Sequence, residues 1–331
     1  MLKKPEPSSG AGNALPTNEL GSPDIVQEWI DVTMKTALAL DPKAYIREFW
    51  NHKTRPDGRI FGQARQTTIV PGVLERNALG SALVKLASNS SHGDGDSETT
   101  TATTTTSYSC THVLAGVTTE VGQPSANEGD LKVSFVPQNI VLESWLQRLL
   151  LEILDLEQLG IVAGKSAFGL DVSIAVLNED GNLADACLLA AMAALRNTRL
   201  PPIVIKDGRV YTLEDEDALK NMPSSLTTFE SKSLSLPVIP LPLTMGVVTA
   251  QEIGQQQSDN EQSKQLWLVD PSKKELEVCD GSITIVLNGL DTEHILAFEY
   301  QGNVSVTHTS LALAVQIAKG RAEELLPLLK E

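Results

Sequence analysis

The sequence predicts an α+β fold of mixed sheets arranged in two related halves. Blocks of β-rich sequence are followed by helical stretches, and that order occurs twice along the chain. Aromatic residues make up only 4% of 331 residues, so the core has to be built from Leu, Val, Ile and Ala. No βαβ series with a glycine-rich phosphate loop is present, which disfavours a Rossmann or P-loop arrangement.

Residues 1–22 are rich in Pro, Ser, Gly and Asn and are expected to form a disordered N-terminus. Residues 23–54 read as an N-terminal helical segment. Ser22-Pro23-Asp24 offers a helix start, apolar positions then recur at three- and four-residue spacing, and a second short helix runs from Pro42 to Trp50. The first half spans residues 55–200. It opens on the turn Arg55-Pro56-Asp57-Gly58-Arg59 and continues with strands in TTIVPGVL, GSALVKLA and THVLAGVTTEV. Between the last two lies a Ser/Thr/Gly tract, residues 87–109, which cannot bury an apolar face. It reads as the expanded tip of a hairpin.

From Asn139 to Leu159 the pattern is helical, with Leu142, Trp145, Leu146, Leu149 and Ile153 on one stripe. GLDVSIAVLNEDG follows as a strand and turn. Leu183 to Asn197 is a small-residue helix suited to close packing against a sheet. The second half, residues 201–331, places strands at IVIKDGRVYTL, SLPVIPLPLTMGVV, QLWLVD, ELEVCDGSITIVLN and HILAFEY. A helix from about Thr307 to Leu329 closes it.

The net charge of −16 argues against a chain that holds nucleic acid by itself, because phosphate neutralisation supplies most of such affinity. The charge is uneven. Between Lys43 and Lys85 eight Lys or Arg stand against three acids, so any nucleic-acid contact is expected from that segment. On charge alone, a solvated basic patch explains it equally well. Cys110, Cys187 and Cys279 lie far apart and form no CxxC pair, which argues against a zinc site or a disulfide framework and fits a reducing compartment. The five histidines show no ligand spacing, so no metal and no cofactor are expected. No apolar run approaches the roughly 18–20 residues that span a bilayer, and no membrane partner is expected.

A family resemblance begins at Arg55. LDPKAYIREFWNHKTRPDGR resembles the entry segment of RNase PH-type ring subunits of the eukaryotic RNA exosome. GSALVKLA and THVLAGVTTEV look like that family's signature hairpin, NEDGNLADACLLAAMAAL like its central turn and helix, and LWLVDPSKKELEVCDGSITIVLNG like its late strand pair. The matches run in order from about residue 40 to the C-terminus. The resemblance implies the RNase PH fold (ribosomal protein S5 domain 2-like), with two pseudo-symmetric βαβα halves. It also implies a hexameric hetero-ring of such subunits, cap RNA-binding subunits, an associated nuclease, and single-stranded RNA passing through the complex. Nucleus, nucleolus and cytoplasm are the implied locations.

Active members of the family resemble one another in a Gly-Thr-Arg-Thr-Ala turn whose arginine and backbone amides hold phosphate. Aligned through Asp180-Gly181, the arginine position is Ala184, with Asp185 beside it. A carboxylate repels the anion that phosphorolysis requires, and no spare guanidinium stands nearby in the sequence. Active members also carry two aspartates six residues apart. Asp270 matches the first and Leu276 falls on the second, with Glu275 one residue short. A lone aspartate before Pro271 reads as a turn-capping residue. Arg55 and Arg59, and more weakly Arg65 and Arg76, are the RNA-contact candidates, the latter two as exposed strand positions. Asp57 pairing with either motif arginine is the structural alternative. These readings expect a non-catalytic scaffold that supports RNA processing. An active phosphate-dependent 3′-to-5′ exoribonuclease and a stand-alone RNA-binding module are the alternatives.

Overall fold

A computed structural model describes residues 36–37, 39–74, 77–88, 110–122, 129–206, 209–213, 226–249 and 265–330. The expectations for residues 1–22, most of the following helix, Arg76 and most of the Ser/Thr tract fall outside that range.

The first sheet has the order β1-β2-β3-β6-β4, with β5 on β6. Its strands are β1 (Gln66–Pro71), β2 (Gly80–Ala87), β3 (Cys110–Gly122), β4 (Asp130–Val136), β5 (Gly160–Val162) and β6 (Ser166–Asn178). Alternation sets the faces. Ala82, Val84 and Leu86 of β2 are buried while Lys85 is exposed, and Val113, Ala115 and Val117 of β3 are buried opposite them. β2 and β3 pair antiparallel with Ala87 opposite Cys110, so the Ser/Thr tract joins the two ends of a hairpin. β4 was not anticipated, although Leu131, Val133 and Phe135 alternate inward as a half-buried strand requires. It pairs parallel to β6, and helix α2 (Ile140–Ile153) makes the crossover between them.

Two small sheets follow: β7 (Arg199–Leu200) with β11 (Lys232–Ser233), and β8 (Ile203–Lys206) between β9 (Arg209–Thr212) and β10 (Thr227–Phe229). The second large sheet has the order β13-β12-β14-β15, formed by β12 (Pro240–Thr249), β13 (Gln265–Val269), β14 (Gly281–Asn288) and β15 (Asp291–Gly302).

Helix α1 (Pro42–Asn51) precedes the first sheet, with Asp41 capping it from its side chain. Helix α3 (Leu183–Arg196) is buried at every residue from Asp185 to Leu195. A helix apolar on all sides belongs inside a molecule, and its alanines permit close approach. It packs on β2 and β3 with one side and on β12 with another. Helix α5 (His308–Lys330) packs on β12 and β14 and reaches β1, with Ala314, Ala318 and Ala322 buried at four-residue spacing. One apolar core therefore runs from sheet to sheet through α3 and α5.

One assignment is corrected. ELEVC was read as the start of a strand, but Lys273–Val278 form helix α4, and the strand begins at Gly281. Ser272 and Glu275 close a reciprocal capping box at its start, which overrides the β propensity of the valine. Ile46 and Trp50 of α1 pack with Val248, Leu268 and Val278, so the N-terminal helical segment docks on the second half of the chain.

Candidate functional site

The turn Arg55–Arg59 is closed by its own residues. Gly58 takes φ +80, a left-handed conformation that glycine adopts without penalty, and its amide donates to the Arg55 carbonyl. Asp57 accepts from the Arg59 amide at 3.2 Å and from its Nε at 2.7 Å. The turn presents both guanidinium groups inward.

Both meet the segment after β13. Arg55 is 0% exposed; its Nε donates to Glu275 Oε1 at 2.8 Å, its Nη2 to Glu275 Oε2, and its Nη1 to the Val269 carbonyl at 2.7 Å. Arg59 Nη1 donates to the Asp270 carbonyl at 3.1 Å and to Asp270 Oδ2 at 3.3 Å. Arg65 forms a two-pronged pair with Asp270, Nε to Oδ2 at 2.9 Å and Nη2 to Oδ1 at 2.8 Å, and its amide adds a third bond at 2.7 Å. Asp270 is therefore the hub of a buried ionic cluster, held at φ +49 before Pro271. Burial pushes its carboxyl up, but the hydrogen bonds and charge of Arg65, joined by Arg59, outweigh that and hold it below the usual carboxylate range.

This corrects the reading of Arg55, Arg59 and Arg65 as RNA contacts. Their side chains are 0%, 5% and 0% exposed, and their charge is spent on Asp57, Asp270 and Glu275. Arg65 is not an exposed strand position, and Asp270 does far more than cap a turn. Three of the eight cations of the basic segment, Arg55, Arg59 and Arg65, are thus internal. Lys43, Lys53 and Lys85 are exposed cations of that segment.

The central turn arrives at the same place. Gly181 lies at φ +77, and a Cβ there would sit 2.4 Å from the Lys273 amide nitrogen, so only glycine lets the turn abut the start of α4. Asn182 follows at φ 54 in the N-cap position of α3, yet makes no capping bond. Its Nδ2 donates instead to Asp270 Oδ1 at 2.7 Å. Ala184 is half-buried and offers only a methyl group. Asp185 is 4% exposed; Oδ2 accepts from the Thr244 amide at 2.9 Å and Oδ1 from the Thr244 hydroxyl at 2.7 Å. Burial raises its carboxyl to about 6, against the Thr244 bonds, which favour the anion. Leu276 is half-buried on α4. Glu275, the acid one residue away, is committed to Arg55 and to the capping box.

Sequence reasoning missed three participants: Asn182, Thr244 and Arg321. Arg321 lines the same small cavity as Thr67, Asn182, Asp185 and Asp270. It is the nearby guanidinium that the sequence did not reveal, but it donates to Glu324, Thr67 and the Arg65 carbonyl. Asn182 could have been suspected from its place after Asp-Gly, where left-handed backbone is common. Among the described residues no group of three His, Cys, Asp or Glu side chains is placed to hold a metal ion.

Three comparisons bear on this arrangement. Residues 63–201 match the model of the 3′ exoribonuclease family, domain 1. The chain is 32% identical over 299 residues to the exosome complex component Rrp42 of Pyrococcus abyssi, covering 84% of this chain and 89% of that protein. It is 29% identical over 265 residues to Rrp42 of Archaeoglobus fulgidus, covering 78% and 84%. An archaeal exosome core chain superposes with a TM-score of 0.61 at 24% identity, covering 91% of this chain and 99% of the other. Rice Rrp46 superposes at 0.52 and 17% identity, covering 83% and 98%. The mixed sheets and packed helices described above are thus the RNase PH fold, and the chain belongs to the RNase PH-type exosome ring subunits.

Proposed function

We propose that this chain is a non-catalytic ring subunit that scaffolds 3′-to-5′ RNA processing and decay, including rRNA maturation, and helps thread RNA through an exosome core. One observation carries the reading: the carboxylate of Asp185, buried and bonded to Thr244, stands beside the methyl group of Ala184 where phosphorolysis needs a cation. The remaining charged groups are no substitute. Asp270 is neutralised by Arg65 and Arg59, and Glu275 by Arg55, so these guanidinium groups are committed to carboxylates of the chain itself. RNA contact, if the chain makes it, falls to exposed cations and to neighbouring subunits.

The proposed partners are other RNase PH-type chains in a hexameric hetero-ring, cap RNA-binding subunits and an associated nuclease, in nucleus, nucleolus and cytoplasm. By overall sequence pattern the ring position proposed is that of ribosomal RNA-processing protein 43, while the similar chains reported above are Rrp42. The test is affinity purification of the tagged full chain from native extract, followed by incubation of the chain with single-stranded RNA and inorganic phosphate. Stoichiometric recovery of other RNase PH-type chains and no release of nucleoside diphosphates is the expected result. Nucleoside diphosphates released by the purified chain would overturn the non-catalytic reading. Tight, salt-sensitive RNA binding by the isolated chain would favour a stand-alone binding module.

A further inference from the structure

Strand β15 ends one side of the second large sheet, and among the described residues no strand pairs with its outer edge. Its register with β14 fixes the two faces. Ile283 stands opposite Tyr300, Ile285 opposite Phe298 and Leu287 opposite Ile295, with register shifts on either side of the Leu287 pair. Directly opposed residues share a face of an antiparallel pair, so one apolar row crosses from β14 to β15. Its burial stops between the two strands. Ile283, Ile285 and Leu287 are 0% exposed, whereas Ile295, Phe298 and Tyr300 are 44%, 46% and 38% exposed. An edge strand with exposed apolar side chains is a template for another strand, and natural chains cover such edges.

The other face of the edge is flanked by a helix. Glu299 lies between Phe298 and Tyr300 and points the opposite way, where its Oε1 accepts from Arg148 Nη2 of α2 at 3.2 Å. Arg148 belongs to an exposed stripe of α2 that also holds Val141, 75% exposed, and Leu151, 38% exposed. The edge of β15 thus has exposed apolar side chains on both sides. Its rim is acidic, with Asp291, Glu293, Glu299 and Glu152 against Arg148 and Lys319.

We propose that the outer edge of β15 is the docking site for a strand of a neighbouring RNase PH-type chain, which extends the second sheet across the subunit boundary. The inference rests on the ring reading above and names the surface that serves it. Backbone pairing along β15 supplies the affinity, and the side chains beside it select the partner. The occupant that fits is an extended strand with apolar side chains beside Phe298 and Tyr300 and with Lys or Arg toward the acidic rim. A second copy of this chain fits poorly, since it brings the same acidic rim and a net charge of −16. RNA fits poorly as well, because the rim repels phosphate.

The test is affinity purification from native extract of the tagged full chain, of its Ile295→Lys/Phe298→Lys variant, and of a Tyr211→Lys control on the exposed face of β9. The double variant should lose one neighbouring RNase PH-type chain by roughly tenfold or more and keep another, while the control keeps both. Both replaced side chains are exposed, so the urea midpoint of the double variant should match that of the wild type. Full recovery of every neighbour by the double variant overturns this inference alone. Recovery of no RNase PH-type chain by the wild type overturns the ring reading and this inference with it. Recovery of a differently tagged second copy in place of a neighbour overturns the choice of partner. Hydrogen exchange gives an answer without any variant: the amides of residues 297–301 should gain protection in the purified complex relative to the free chain. Equal exchange in the two also overturns the inference.

Discussion

Asp185 and Asp270 lie in one cavity wall, are both fully buried, and have been driven in opposite directions. Asp270 receives two guanidinium groups, an amide N–H and the Asn182 side chain, and is held as an anion. Asp185 receives only neutral donors, those of Thr244 and Asn182, and burial pushes its carboxyl up. Burial is common to both; what differs is the supply of cations. Within one site, the pairing decides whether a buried carboxyl is held below or pushed above the usual carboxylate range.

Removing the hub is the strongest way to break this comparison. Asp270→Ala leaves Arg65 and Arg59 buried with no carboxylate between them and should cost about 4–5 kcal/mol of unfolding free energy, read by denaturant titration. Arg55→Leu leaves Glu275 buried and unpaired and should cost about 3–4 kcal/mol. Adding Glu275→Gln should recover a large part of that, because the uncompensated charge, not the lost pair, dominates the penalty.

The pH profile sharpens the contrast. Asp270, with its folded value depressed, contributes stability that is present above its unfolded value and lost as pH falls below about 4. Asp185, with its folded value raised, contributes the other way, and its share falls by about 1.4 kcal/mol between pH 5 and pH 8. Stability should therefore peak in mildly acid solution, and Asp185→Asn should flatten the alkaline side. The smallest effect is local: Ser272→Ala opens the capping box of α4 and should cost about 1 kcal/mol, with the Arg55–Glu275 pair left in place.

The fold was legible where local pattern and final environment agree. GSALVKLA alternates because one face of β2 is buried, and the unbroken apolar run of α3 marks a helix enclosed by two sheets. It was misread where a local device was overlooked, as in ELEVC, whose Ser272–Glu275 spacing spells a helix start. The site was legible only in part. Ala184, Asp185, Asp270 and Leu276 were singled out by alignment to a motif, and the structure brings Asp185 and Asp270 to one cavity. Arg65 was misjudged because its neighbours look like an ordinary edge strand, while the carboxylate that buries it stands 205 residues away.

By itself, the sequence determined helices α1, α2, α3 and α5, most strands of the two large sheets, and the replacement of an arginine by Ala184 with Asp185 alongside. The tertiary structure alone decided that the motif arginines turn inward, that Asn182 gives up its helix cap for Asp270, and that Asp185 is bonded by Thr244 while Asp270 takes the guanidinium groups. Those outcomes depend on contacts between residues far apart in the chain. In a low-dielectric interior a charge is governed by the few groups within bonding distance, and sequence order does not reveal which groups those are.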